Sequence, residues 1–480
     1  MNFARDVVDG AAPHHTALVE LARDGSRREW TFAEVADLSA ALATTLAARH
    51  GVGRGDVVMT VIGNRPEWVL TMVACFRIGA VALPCNEQLR AKDLARRIEA
   101  AAPKLIVADE RNLSELSAAR PGCPVLTIPD ESLFDAEPAA AVELEPDEPC
   151  LITFTSGTTG EPAGIVHGQR YLSGQRLQAE HWLDARPRDL VWCTAATGWS
   201  KSARNVFIAP WLRGAASLLH DERFDAAQRL EVIAAEQVNV LCMAPTEYRV
   251  IAKRVQLRPL PALRSLVAAG EALNPEVIRT FNDEIGLAIR DGYGQTETGQ
   301  LTGNPPGEPV HPGSMGRPLP GVDLRVHDGE LVLANPATDP TFFVGYLDGT
   351  PAPAGEPWRT GDRVRADGDG YLYFEGRADD LIISAGYRIG PFEVESALVS
   401  HEAVAEAAVV SAPDEERGAI VRAVVVLRDG FAPGRALATE LQEHVKHQTA
   451  PYKYPRIVDF ADELPKTASG KIQRASLRGR

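Results

Sequence analysis

The stretch TFTSGTTGEPAGIVHG, residues 153–168, sets Thr155, Ser156, Thr158 and Thr159 among Gly157, Gly160, Gly164 and Gly168. Such a loop suits phosphate: its glycines let successive backbone N–H groups converge on one anion, and its hydroxyls add donors without bulk. The Walker spacing G-x-x-x-x-G-K-[ST] is absent, which excludes a P-loop kinase or GTPase. Where a phosphate loop commonly offers a lysine, Ala163 stands. Positive charge must then come from elsewhere, with His167 and Arg170 the nearest candidates along the chain. Composition alone fits a Gly/Ser-rich surface connector equally well, so the weight falls on what accompanies the loop.

The elements that must position it are those of a large α/β protein. A chain of 480 residues, 45% hydrophobic and 24% charged, suits two or three globular domains with a sizeable core. A formal net charge of −15 opposes nonspecific binding to nucleic acid or to an anionic membrane, leaving a small molecule as the expected partner. Cys75, Cys85, Cys123, Cys150, Cys193 and Cys242 form no C-x-x-C pair, so neither a disulfide framework nor structural zinc is signalled. The charged N-terminus MNFARDVVDG lacks the apolar run of a signal peptide, and no stretch approaches the ~18 apolar residues of a membrane span. A cytoplasmic enzyme is expected.

Thr31 and Glu34 make a capping box for a helix carrying Val35, Leu38 and Leu42, with Gly51 beyond its end. The strand DVVMTVI follows, then a helix after Asn64, the strand AVALP, the helix KDLARRIEAAA and the strand KLIVAD. The alternation resumes with QVNVLCMAP and LRSLVAAG as buried strands, each leading into a helix, and functional loops are expected after the carboxyl ends of the strands. Between Pro305 and Gly370 proline and glycine crowd the chain, and LRVHDGELVLA reads as a hairpin turning at Asp328 and Gly329. Beyond GRADD the pattern becomes α+β, with strands AEAAVVSAP and IVRAVVVLRDG and a helix from Arg435 to His447. The expected architecture is a large domain over 1–378, made of two α/β subdomains and a small β-rich portion, followed by an α+β domain over 379–480.

FTSGTTGEPAG resembles the nucleotide loop of the adenylate-forming superfamily of acyl-CoA synthetases, luciferases and peptide-synthetase adenylation domains. AAGEALNPE, DGYGQTETG, WRTGD, GRADDLIISAGYRIGPFEVE and LPKTASGKIQR follow in that family's order and carry the resemblance across nearly the whole chain. It implies ATP, Mg²⁺ and CoA as cofactors and cosubstrates, and a C-terminal domain that moves. Within DGYGQTE (Asp291, Gly292, Tyr293, Gly294, Gln295, Thr296, Glu297), Thr296 offers a hydroxyl to a phosphoryl oxygen, and Glu297 the hard carboxylate that Mg²⁺ prefers beside substrate phosphates. By resemblance Asp362 binds the ribose diol, its two oxygens suiting a vicinal pair of hydroxyls, and Gly270, Glu271 and Ala272 border the adenine. The resemblance also places Arg377 near the nucleotide, Asp379 at the hinge, Gly386 beside the pantetheine tunnel and Arg388 on the AMP phosphate. Lys471 matches the mobile lysine that touches carboxylate and α-phosphate during adenylation, supplying part of the charge that Ala163 does not.

ATGWSKSARNVFIAPWLRGA, residues 196–215, is most similar to medium-chain acyl-CoA synthetases and places Trp199 in the acyl pocket. Gly294 stands where acetyl-CoA synthetases carry a tryptophan, so room beyond two carbons is expected, for a medium-chain fatty or aryl-alkyl acid. An adenylation enzyme loading a carrier-protein thiol shares these motifs, a luciferase-like enzyme most of them, and the missing lysine raises a degenerate binding protein. Retention of Thr296, Glu297, Asp362, Arg377 and Lys471 opposes degeneration, and with no carrier domain following Arg480 free CoA is the expected acceptor.

Overall fold

The Thr31 hydroxyl accepts the backbone N–H of Glu34, and the Glu34 carboxylate accepts that of Thr31 at 2.8 Å; from this reciprocal cap runs the helix Phe32–Thr44. The computed structural model describes residues 1–155, 162–271, 273–353, 355–378, 380–466 and 472–478.

One seven-stranded sheet has the spatial order Gly345–Tyr346, Gly164–Gly168, Pro149–Phe154, Val81–Cys85, Val57–Val61, Leu105–Asp109, Val125–Ile128. Its strands from Pro149–Phe154 to Val125–Ile128 are parallel. Val81–Cys85 and Leu105–Asp109 are buried along their whole length, as strands covered on both faces must be. A nine-stranded sheet is ordered Arg317–Pro318, Gly299–Gly303, Arg290–Gln295, Ser265–Ala269, Val240–Met243, Leu190–Cys193, Ala216–His220, Thr16–Leu21, Arg27–Thr31. It too is parallel at its centre. Between the sheets lies a core rich in aromatic rings, with Phe3 edge-on to Phe76 and Phe207, and Phe207 against Trp68 and Trp211.

The sheets are tied where their strand ends meet. Thr197, 1% exposed, donates its hydroxyl to the Ile62 carbonyl at 2.7 Å and lies 3.3 Å from that of Cys85. Gly198 follows at φ +83°, and a Cβ there would sit 2.6 Å from the Asn86 nitrogen, so only glycine passes.

A four-stranded antiparallel sheet ends the large domain, its strands ordered Leu324–His327, Glu330–Leu333, Trp358–Ala366, Leu372–Arg377. Its hairpin turns at Asp328 and Gly329, both at positive φ, as a two-residue turn of this kind requires. The C-terminal part has a core of its own, built from Ile389, Val394, Leu398, Val409, Val425 and Leu441. It comprises the hairpin Ile382–Ser384/Tyr387–Ile389, the helices Pro391–Val399 and Arg435–Gln448, and a sheet of Val404–Asp414, Gly418–Leu427 and Ile457–Phe460. It docks on the large domain through Lys253, whose Nζ donates to the carbonyls of Ala405 at 2.8 Å and Val404 at 3.3 Å, and through Asn274 Nδ2, 3.3 Å from Ser396 Oγ.

Candidate active site

Parallel strands of both sheets end in one cleft of about 1640 Å³. Gly63, Asn86 and Thr155 line it from the seven-stranded sheet, and Thr194, Asp221, Ala244 and Gly270 from the nine-stranded one, each just past the carboxyl end of its strand.

Asp362 is the most heavily held group in the cleft. It is 4% exposed, and its Oδ2 accepts the Tyr293 hydroxyl at 2.5 Å and Gln295 Nε2 at 2.9 Å. Arg377, its cross-strand partner, places Nη1 3.5 Å from Oδ1. Gln295 also donates to the Thr360 carbonyl at 2.8 Å and accepts Trp358 Nε1 at 3.0 Å. Its amide therefore orients the aspartate. Burial first, then the neighbouring carboxylate, pushes the Tyr293 phenol well above its ordinary range, so it stays a donor. Sequence reading found Asp362, Arg377, Tyr293 and Gln295 separately; the structure brings them together and adds Trp358 and Thr360.

The strand Arg290–Gln295 forms the floor. Asp291 is buried and its carboxyl raised well above the usual range by desolvation, with backbone N–H groups and Lys201 pulling the other way. Gly292 has no room for a side chain, since a Cβ would lie 2.7 Å from the Thr302 carbonyl and from Trp182 Nε1. Gly294 corrects an expectation. A Cβ there would collide with the Gly299 carbonyl oxygen across a register shift of the antiparallel pair, so the glycine serves backbone approach, and its lack of a side chain is no measure of acyl room.

The turn closing that pair carries Thr296 and Glu297, both half-buried in the cleft lining. Gly270 ends its strand at φ +98°, and Glu271 accepts from Thr246 Oγ1 at 2.8 Å and Arg249 Nη2 at 3.0 Å. Thr155 and Ala163 close the base of the phosphate loop: Thr155 N–H donates to the Ala163 carbonyl at 2.9 Å, and Ala163 N–H to Thr155 Oγ1 at 3.0 Å. Neither sequence neighbour replaces the missing lysine. His167 is fully buried, stacked on Tyr171, and pushed down to about 3 by burial and by the charge of Arg204, hence neutral. Arg170 points elsewhere, donating to Asp147 and to the Asp339 carbonyl, both at 2.6 Å.

Trp199 lines the cleft just before the helix Ser200–Ala203, and Lys201 and Arg204, three residues apart, line it too. Lys201 Nζ donates to the Ala269 carbonyl at 2.6 Å. Both cations stand at helical spacing in GWSKSAR, the one signal in the sequence that groups them. Gly386 lies at the exposed turn of its hairpin, φ +82°, outside the cleft lining. Ser156, Gly157, Thr158, Thr159, Gly160, Ala272, Asp379 and Lys471 lie outside the described residues, as does the side chain of Arg388.

A buried, hydrogen-bonded aspartate, the base of a Gly/Ser/Thr loop and a Thr–Glu turn thus line one cleft at the strand ends of two parallel sheets. The AMP-binding enzyme family matches residues 6–337, and the AMP-binding enzyme C-terminal domain matches 393–471. Human "Acyl-coenzyme A synthetase ACSM4, mitochondrial" is 40% identical over 521 residues, 99% of this chain and 90% of its own. The crystal structure of a Brucella canis acyl-CoA synthetase, 35% identical, covers 100% of this chain and 94% of its own with a TM-score of 0.76. That of the anthranilate CoA ligase AuaEII in complex with anthranoyl-AMP, 28% identical, covers 99% and 96% with a TM-score of 0.90. The chain belongs to the AMP-binding enzyme family. It is an acid–thiol ligase, an acyl-CoA synthetase that activates a carboxylic acid with ATP and transfers the acyl group to CoA.

Proposed function

We propose that the acid is a medium-chain fatty or aryl-alkyl acid and that the two half-reactions share this cleft in two domain arrangements. The carrying observation is that Thr155, Thr296, Glu297, Asp362, Arg377 and Trp199 line one cavity. Asp362, fixed by Tyr293 and Gln295, holds the ribose; Gly270 and Glu271 border the base; Thr296 and the loop after Thr155 hold the phosphates. An oxygen of the acid attacks the α-phosphorus, the bond to pyrophosphate breaks, and the acyl-adenylate remains. The CoA sulfur then attacks the acyl carbon and AMP leaves. The protein contributes orientation and electrostatic stabilisation.

Glu297 is the residue that would hold Mg²⁺. Among the described residues no group of three or more His, Cys, Asp or Glu could form an all-protein cage, and one carboxylate beside substrate phosphates is the usual arrangement for this ion. When bound it neutralises phosphate charge.

Two features support the domain movement. Ile472 and Arg474, which follow Lys471 in sequence, line the cleft. The hairpin of Gly386 meanwhile leaves Ile383 59% exposed, an apolar side chain open to docking after rotation about Asp379. A panel of carboxylic acids assayed for pyrophosphate release with and without CoA tests the reading: sustained release requires CoA, and medium-length acids exceed acetate. Acetate as best substrate overturns the acyl assignment. Lys471→Ala abolishes adenylation yet leaves thioester formation from supplied acyl-adenylate, and Asp379→Pro does the reverse; equal loss of both half-reactions overturns the two-arrangement scheme.

A further inference from the structure

Asn274 precedes the helix Pro275–Ile285 and is of a residue type that caps such a start with its own side chain, yet it makes no side-chain cap bond. It is buried, and its amide spans two domains instead. Oδ1 accepts Arg249 Nη1 at 3.2 Å, and Nδ2 donates to Ser396 Oγ at 3.3 Å. A guanidinium offers donors alone, so the amide oxygen must face Arg249 and the NH₂ group must face Ser396. A local preference is given up here for a contact 122 residues away in sequence.

Arg249 stands on the helix Pro245–Arg254, whose Thr246, Arg249 and Val250 line the cleft while Lys253, one turn on, holds the carbonyls of Val404 and Ala405. Arg249 Nη2 donates to Thr246 Oγ1 at 2.8 Å and to Glu271 Oε2 at 3.0 Å. The guanidinium that orients Asn274 is therefore itself held by the carboxylate that the proposed function places beside the base. On the other side, Ser396 lies on the helix Pro391–Val399, which also contributes Phe392, Glu395 and Val399 to the lining. Glu395, adjacent to Ser396, accepts Arg474 Nη2 on its two oxygens at 2.9 and 2.7 Å, and Arg474 is the third residue after Lys471 in sequence.

We propose that Asn274 is a positioning residue for adenylation: through Arg249 it ties Glu271 at the base to Ser396 on the C-terminal domain, so that bound adenine and the docked domain stabilise each other. A base seated against Gly270 and Glu271 fixes the carboxylate, the carboxylate fixes Arg249, and Arg249 keeps the Asn274 amide turned towards Ser396. Linkage requires the converse, that docking tightens the hold on the nucleotide. The proposal rests on the two-arrangement reading of the cleft and gives the adenylation half-reaction to the arrangement described, in which Ile472 and Arg474 line the cleft.

Asn274→Ser separates this role from a merely structural one, because serine caps a helix well but is too short to bridge Arg249 and Ser396. The variant is expected to melt at or above the native temperature. It should lose about 3- to 10-fold in acid-dependent exchange of pyrophosphate into ATP, measured with the best acid of the panel, while forming thioester from supplied acyl-adenylate at the native rate. Equal loss in both half-reactions, loss confined to thioester formation, or no loss in either overturns the proposal. Ser396→Ala removes the same bond from the other side, at a half-buried position, and carries the same measurements if Asn274→Ser fails to fold. The link to the base is read from binding of α,β-methylene-ATP. Ser396→Ala is expected to raise its Kd about 2- to 5-fold, and to lose that effect in an Arg249→Met background. A Kd unmoved by Ser396→Ala, or moved equally in both backgrounds, overturns the link. A Lys471→Ala variant that also fails to split the half-reactions places the failure in the two-arrangement reading; a clean Lys471→Ala split beside an unaffected Asn274→Ser places it in this proposal alone.

Discussion

Ala163→Lys puts a cation at the edge of the phosphate loop from a fixed root. Ala163 is exposed, lines the cleft and is clamped to Thr155 by reciprocal bonds of 2.9 and 3.0 Å, so its backbone need not move to accept a longer side chain. A charged hydrogen bond to phosphate contributes ~1.5–3 kcal/mol when well made. Solvent screening at this exposed position lowers that to about 1–1.5 kcal/mol, or roughly 5- to 10-fold in apparent KM for ATP. Neither sequence neighbour pre-empts the gain, since His167 is buried and neutral and Arg170 is engaged with Asp147 and Asp339. The assay is the ATP dependence of pyrophosphate release at saturating acid and CoA, native against variant, at two salt concentrations; the gain should shrink as salt rises. Acid preference should not change, because the loop base and the Trp199 wall are separate parts of the lining. An unchanged KM for ATP in a variant that melts like the native protein refutes the idea that a loop cation is missing.

Gly294→Ala drives a methyl group into the Gly299 carbonyl and should cost about 1–3 kcal/mol in stability, seen as a lower melting temperature; an unaltered melt would show that the strand pair yields freely. Asp362→Asn removes the charge accepting from Tyr293 and Gln295 and should raise KM for ATP about 10-fold or more, with little change in acid preference; equal loss across both would assign it a purely structural role. Lys253, which burial pushes down to about 8 from an ordinary value of 10.5, makes docking of the C-terminal domain proton-linked. The docked state binds fewer protons, so docking should strengthen as pH rises from about 8 towards 10.5. Limited proteolysis of the interdomain segment at pH 7.5 and 9.5 reads this as rising protection, and Lys253→Met should abolish the trend.

Local signals carried most of the fold. Thr31 and Glu34 cap their helix as the spacing requires, and Asp328 with Gly329 turns its hairpin, because caps and tight turns depend on residues within a few positions. The site was legible only residue by residue. Asp362 could be picked out, but that Tyr293 and Gln295 hold it depends on strands 69 and 67 residues apart in sequence meeting in space. Gly294 misled for the same reason: what fills its Cβ direction is the backbone of a neighbouring strand, set by a register shift that no composition reveals. His167 and Arg170 were near the loop in sequence, yet strand alternation and a helix start carry them away from the phosphate. Lys201 and Arg204 stand three residues apart in GWSKSAR, a helical spacing visible in the text, but that both enter the cleft lining depends on how the two sheets meet.

Thr197 and Gly198 fasten the Trp199 wall of one sheet to the strand ends of the other, through the Ile62 and Cys85 carbonyls and the tight approach to Asn86. The pocket's width is therefore inherited from how the two halves of the large domain are assembled. A segment equivalent to 196–215 transplanted from a relative would arrive without its matching partner around 62–64 and 85–87, and would trade selectivity against folding. Recombination that keeps both stretches from the same parent should yield working chimeras, while exchange of either alone should accumulate as unfolded chain, so substrate range in this lineage changes most readily by paired replacement.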